Sequence, residues 1–80
     1  MQFKPVTTEK AVRLIDIDNT LVFEVPRQED KTSIKESFAK EFSVKVDAVR
    51  THIRQNVKYA YIRLNKNNKA ADLATKLGII

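Results

Sequence analysis

The chain has 80 residues, no cysteine, one glycine and fifteen Lys+Arg against ten Asp+Glu, for a net charge of +5 and a pI near 9.7. A domain this small buries only about 60–65 % of the surface its unfolded chain exposes, which leaves little material for an enclosed active site; the lack of cysteine excludes a disulfide framework and a thiolate metal site and fits an intracellular protein. No run approaches the roughly 18 apolar residues of a membrane span, "MQFKPVTTEK" has no apolar signal-peptide core, and the positive excess points to a polyanion, nucleic acid rather than a membrane surface.

In chain order, Thr8 reads as an N-cap before Glu9 and Lys10, and Ala11, Val12, Leu14 and Ile15 give the apolar spacing of a short helix. The pattern fades between Asp16 and Asn19. Asn19 suits a left-handed helix end, and Thr20 opens a strand in which Leu21, Phe23 and Val25 share one face, ended by Pro26. "RQED" is a loop whose Asp30 caps a second helix with Ile34, Phe38 and Phe42 along one stripe.

From Val46 to Leu64 the period changes to two, which predicts a hairpin turning at Gln55 and Asn56. A two-residue turn sets Val49 opposite Ile62 and Thr51 opposite Ala60 on the core side. The other side then pairs His52 with Tyr59, Arg50 with Tyr61 and Ala48 with Arg63, with Arg54 at the tip. "NKNNK" is a loop whose Asn67 or Asn68 is expected to cap a last helix carrying Leu73, Ala74 and Leu77. Gly78 falls at its C′ position, and "LGII" is expected to fold back onto the core. The expected fold is α+β: one domain, an antiparallel sheet of three to four strands with two to three helices packed on it.

Two chemistries compete for this chain. "DIDNT" matches the D-x-D-x-T pattern of Mg²⁺-dependent haloacid dehalogenase-like phosphatases, with Asp16 as nucleophile and Asp18 as acid/base. Its context is missing: "EKAVRLI" has charges at helical spacing, not the apolar run of a buried parallel strand, and no distant lysine and acidic pair follow within a doubly wound sheet. With one histidine and no cysteine, no nucleophile–base pair stands out, and His52 reads as a stacking or hydrogen-bonding partner and not a metal ligand. Neither a catalytic residue nor a cofactor or metal is expected. The alternative is RNA binding. Aromatic rings for bases and guanidinium groups for phosphates fall on one hairpin face beside Lys58, Lys66 and Lys69, and Lys31, Lys35, Lys40 and Lys45 flank the second helix. The same tyrosines also suit a half-exposed strand on structural grounds alone.

The runs "PVTTEKAVRL", "DNTLVFEV", "DKTSIKESFAKEFSVKVDAVRT" and "KYAYIRLNKNNKAADLATKLGII", in that order, resemble the universal large-subunit ribosomal protein L twenty-three family, in its short archaeal and eukaryotic form. The short link at Gln55-Asn56 marks that form. The resemblance implies a non-enzymatic constituent of the cytoplasmic ribosome that binds large-subunit rRNA near the exit of the nascent-chain tunnel. It also implies contacts with neighbouring ribosomal proteins and a docking surface for nascent-chain factors such as the signal recognition particle. The expected RNA contacts are Arg50, Thr51, His52, Arg54, Lys58, Tyr59, Tyr61, Arg63, Lys31 and Lys35. Glu9 matches the family's docking glutamate and equally suits the first turn of a helix as an acid favoured by the dipole. Two positions depart from the family pattern: the basic pair before the last strand is Lys58-Tyr59, and Ser43 stands where bacterial relatives carry an acid. A free-standing RNA-binding module shares all these residues and differs only in where it works.

Overall fold

A computed structural model of the chain describes residues 1–79. The elements are β1 (Lys4–Pro5), α1 (Glu9–Asp18), β2 (Thr20–Val25), α2 (Lys31–Phe42), β3 (Val46–Arg54), β4 (Val57–Leu64) and α3 (Ala70–Lys76). The four strands form one antiparallel sheet in the order β1-β2-β4-β3. The fold is therefore the expected α+β class. Because β2 and β3 both run antiparallel to β4, they are parallel to each other and need a crossover, which α2 supplies.

The α2 side of the sheet is the core. Leu21, Phe23 and Val25 of β2 face Ile62 and Ala60 of β4, and Ile34 and Phe38 of α2 close over them, both fully buried. All four phenylalanines meet there. The Phe38 ring lies 4.5 Å from Phe42, 5.1 Å from Phe3 and 5.3 Å from Phe23, in tilted or edge-on arrangements that aromatic quadrupoles favour. Ile15 of α1 and Ala70, Leu73 and Ala74 of α3 complete the cluster.

The helix ends follow the local chemistry. Thr8 Oγ1 accepts from the Ala11 amide at 3.2 Å, and Asp30 Oδ1 accepts from the Ser33 amide at 2.7 Å. The backbone hydrogen bond from Ser33, followed by its side chain, holds the Asp30 carboxyl below its ordinary value. That cap's contribution is therefore complete above the ordinary Asp range and disappears as the pH falls through the depressed folded value. At the end of α3, the Gly78 amide donates to Thr75 O and the Ile79 amide to Ala74 O, with Gly78 at φ +74°, a Schellman closure. Ile79 packs against the core as expected, and Ile80 lies outside the described residues. Ser43 ends α2 in the left-handed region at φ +53°. A serine there carries a Cβ penalty that glycine lacks, so Ser43→Gly is expected to raise stability by about 0.5–1 kcal/mol, read from the urea midpoint.

The end of α1 is as expected, with Asn19 left-handed at φ +51°, and three features differ from the sequence expectation. β1 was not expected, and it brings Phe3 over the core by pairing Lys4 with Glu24 and Pro5 with Phe23. A bulge at Asp47 lets Val46 and Ala48 pair with Leu64 and Arg63, which turns Val46 into the core against simple alternation. Neither Asn67 nor Asn68 caps α3. Lys69 is the cap residue and offers no side-chain bond, and the Ala70 amide instead donates to Asn19 Oδ1 at 2.7 Å. Asn68 Oδ1 is taken by the Lys45 amide at 2.9 Å, which accounts for its absence from the cap.

Candidate nucleic-acid interface

The hairpin register is the predicted one from Ala48↔Arg63 through Arg54↔Val57. Gln55 and Asn56 both have positive φ, +53° and +64°, as a type I′ turn requires. β2 adds Thr20 beside Arg63, Val22 beside Tyr61 and Glu24 beside Tyr59. Period-two alternation therefore gathers Arg50, His52, Arg54, Tyr59, Tyr61 and Arg63 on the sheet face opposite α2. Tyr59 and Tyr61 are half-buried between their neighbours, and the arginines and His52 are exposed.

Side-chain contacts fix the charges on this face. The Arg50 guanidinium lies 5.5 Å from the centroid of the Tyr61 ring, a cation–π pair. Arg63 Nε is 3.8 Å from Asp18 Oδ1, and the buried Thr20 hydroxyl donates to Asp18, 2.9 Å from its carbonyl and 3.1 Å from Oδ2. Glu24 has Lys4 as partner at 4.0 Å. The acids that flank this face are thus matched by basic partners, and the cations at its centre stay uncancelled.

Four expected contacts lie elsewhere. Thr51 points to the core side, opposite Ala60. Lys58 shares that side, and its ammonium donates to the carbonyls of Arg27 and Glu29, so it ties the β2–α2 loop to the sheet. Lys31 and Lys35 are exposed on α2, across the sheet from the tyrosines. Glu9 is exposed in the first turn of α1.

Sequence reasoning missed the contribution of α1. Lys10 and Leu14 border the tyrosine face together with Val22. Their i, i+4 spacing placed them on one helix side, but nothing local says which sheet face that side meets. The aspartates of "DIDNT" lie in the last turn of α1 and not on a loop after a strand. Two residues apart on a helix they do not face each other, Asp16 is exposed, and Asp18 already holds Arg63 and Thr20. The phosphatase arrangement is therefore not built. Among the described residues, no three His, Cys, Asp or Glu side chains converge in a metal-binding group, and no helix is long and apolar enough to cross a membrane.

The family model described as Ribosomal protein L23 matches residues 1–73. The chain belongs to the ribosomal protein L23 family. Relatives of this family named large ribosomal subunit protein uL23 are 43% identical over 77 residues in Methanothermobacter thermautotrophicus and 46% identical over 76 residues in Caldivirga maquilingensis. Those alignments cover 95% of this chain and 90% of the first relative, and 94% and 88% for the second. A uL23 of Trypanosoma brucei brucei is 43% identical over 77 residues, or 95% of this chain and 47% of that longer protein. The matched span takes in the whole hairpin and most of α3, so the tyrosine face lies on the part of the chain that carries family membership.

Proposed function

We propose that this member of the ribosomal protein L23 family is a structural constituent of the large subunit of the cytoplasmic ribosome and binds large-subunit rRNA through the exposed face of β3 and β4. The observation that carries the reading is the register-defined cluster of Arg50, His52, Arg54, Tyr59, Tyr61 and Arg63. Bases stack on the half-exposed rings, and the Arg50 and Arg54 guanidinium groups meet phosphates without a competing acid, whereas Arg63 is held by Asp18. Lys31 and Lys35, on the far side, reach a separate rRNA segment. Thr51 and Lys58 support the hairpin and the loop beneath it.

RNA binding measured across a salt series tests this. Arg54→Ala is expected to reduce the slope of log K against log[salt] by about 0.7–0.9, one phosphate's share. Arg50→Ala is expected to do the same and also to free the Tyr61 ring. A slope unchanged by both substitutions would move the RNA off this face.

The family resemblance further supports a position near the tunnel exit, in contact with neighbouring ribosomal proteins, with the outer surface around Glu9 docking factors that meet the emerging chain. Glu9 is exposed and is not among the α1 residues that border the tyrosine face. Glu9→Lys is therefore expected to weaken binding of the signal recognition particle to large subunits while leaving RNA affinity and salt slope unchanged. Loss of both together would place Glu9 in the RNA interface.

A further inference from the structure

The tyrosine face is not flat. Where α1 runs beside β2 it leaves a concavity of about 180 Å³. Its lining grades from the buried Val22, through half-buried Leu14, Tyr59 and Tyr61, to exposed Lys10 and Arg54.

We propose that this concavity holds one unstacked nucleobase of the bound RNA, its ring against Tyr59 and its flanking phosphates on Lys10 and Arg54. The proposal rests on the RNA-binding reading above. The volume lies below the roughly 300–1,000 Å³ of pockets that enclose drug-sized molecules, and it suits a single planar ring. One face of the Tyr61 ring carries Arg50 at 5.5 Å, so Tyr59 offers the more open π-surface at this concavity. No acid is among the lining residues, so the charge at the rim matches a polyanion entering from the hairpin side. An apolar side chain from a protein neighbour would fill the same space but gain nothing from two cations at the rim. A nucleotide uses the apolar depth, the ring and both charges together.

The test uses the full chain and a short single-stranded oligouridylate carrying one central 2-aminopurine, because stacking is tolerant of sequence. Binding at low salt is expected to shield the 2-aminopurine from acrylamide quenching. Leu14→Phe, which fills the concavity, is expected to abolish that shielding and weaken binding roughly tenfold while keeping the salt slope. The shielding of the wild-type complex stands as a measurement even if the variant folds poorly. Salt-sensitive binding with the probe as quenchable as in the free oligonucleotide would overturn the base site and leave the RNA interface standing. No binding at low salt would overturn both.

Discussion

Asn19→Ala is expected to destabilise the domain by about 3–5 kcal/mol, the sum of several hydrogen bonds and a left-handed backbone. The Asn19 side chain joins three elements that are far apart in sequence. Its Nδ2 lies 3.2 Å from Leu64 O, 3.3 Å from Asn65 O and 2.9 Å from Asn68 O, and its Oδ1 accepts from the Ala70 amide at 2.7 Å. Two amide hydrogens serve three carbonyls, so at least one is shared. The Asn19 carbonyl also accepts from the Leu64 amide at 3.1 Å. Alanine removes every side-chain partner, leaves the first turn of α3 uncapped and adds the strain of φ +51° on a residue with no polar group to offset it. For a domain of 80 residues the whole stability is of order 4–12 kcal/mol, and each kcal/mol is worth roughly 4–8 °C. A fall in Tm of about 12 °C or more is the expected reading. Asn19→Gly separates the two contributions, because it removes the strain but not the lost hydrogen bonds. It should recover about 1 kcal/mol and no more. A fully stable Asn19→Ala would mean that α3 docks without this cap.

The second large effect is on RNA. Replacing both rings by Tyr59→Ala with Tyr61→Ala is expected to lower affinity about 100-fold or more, since stacking is worth roughly 1–3 kcal/mol per base. The salt slope should stay near the wild-type value, because no cation is removed. Tyr59→Phe with Tyr61→Phe keeps the π-faces and is expected to remain within roughly tenfold of wild type. Lys31→Ala with Lys35→Ala offers the contrast: a shallower slope with base stacking intact. Filter binding over a salt series reads all of these. If the double alanine variant binds as tightly as wild type while folded, the tyrosines serve the sheet alone.

Much of this face was legible from period and turn. Alternation from Ala48 to Arg63 and a two-residue turn at Gln55-Asn56 determine which side chains share a side, whatever packs beneath them. The α2 stripe and the Gly78 closure were equally local. What escaped depends on distant partners. β1 has two residues, one of them proline, and so carries no periodic signal. The bulge at Asp47 is coupled to Asn65, whose Nδ2 donates to Asp47 Oδ1 at 3.0 Å. The α3 cap comes from a residue 51 positions earlier. Lys58 reads as a basic strand residue, yet the loop carbonyls that hold its ammonium belong to residues about thirty positions away. Lys10 and Leu14 join the face because α1 packs back against β2 after the left-handed turn at Asn19, a tertiary contact with no local signal.

The most direct measurement is ultraviolet cross-linking of purified large subunits, with the RNA adducts on this chain mapped by peptide mass. Adducts at Tyr59 or Tyr61 are the predicted result. RNA adducts confined to α2 around Lys31 and Lys35, with the β3–β4 peptides unmodified, would contradict the account.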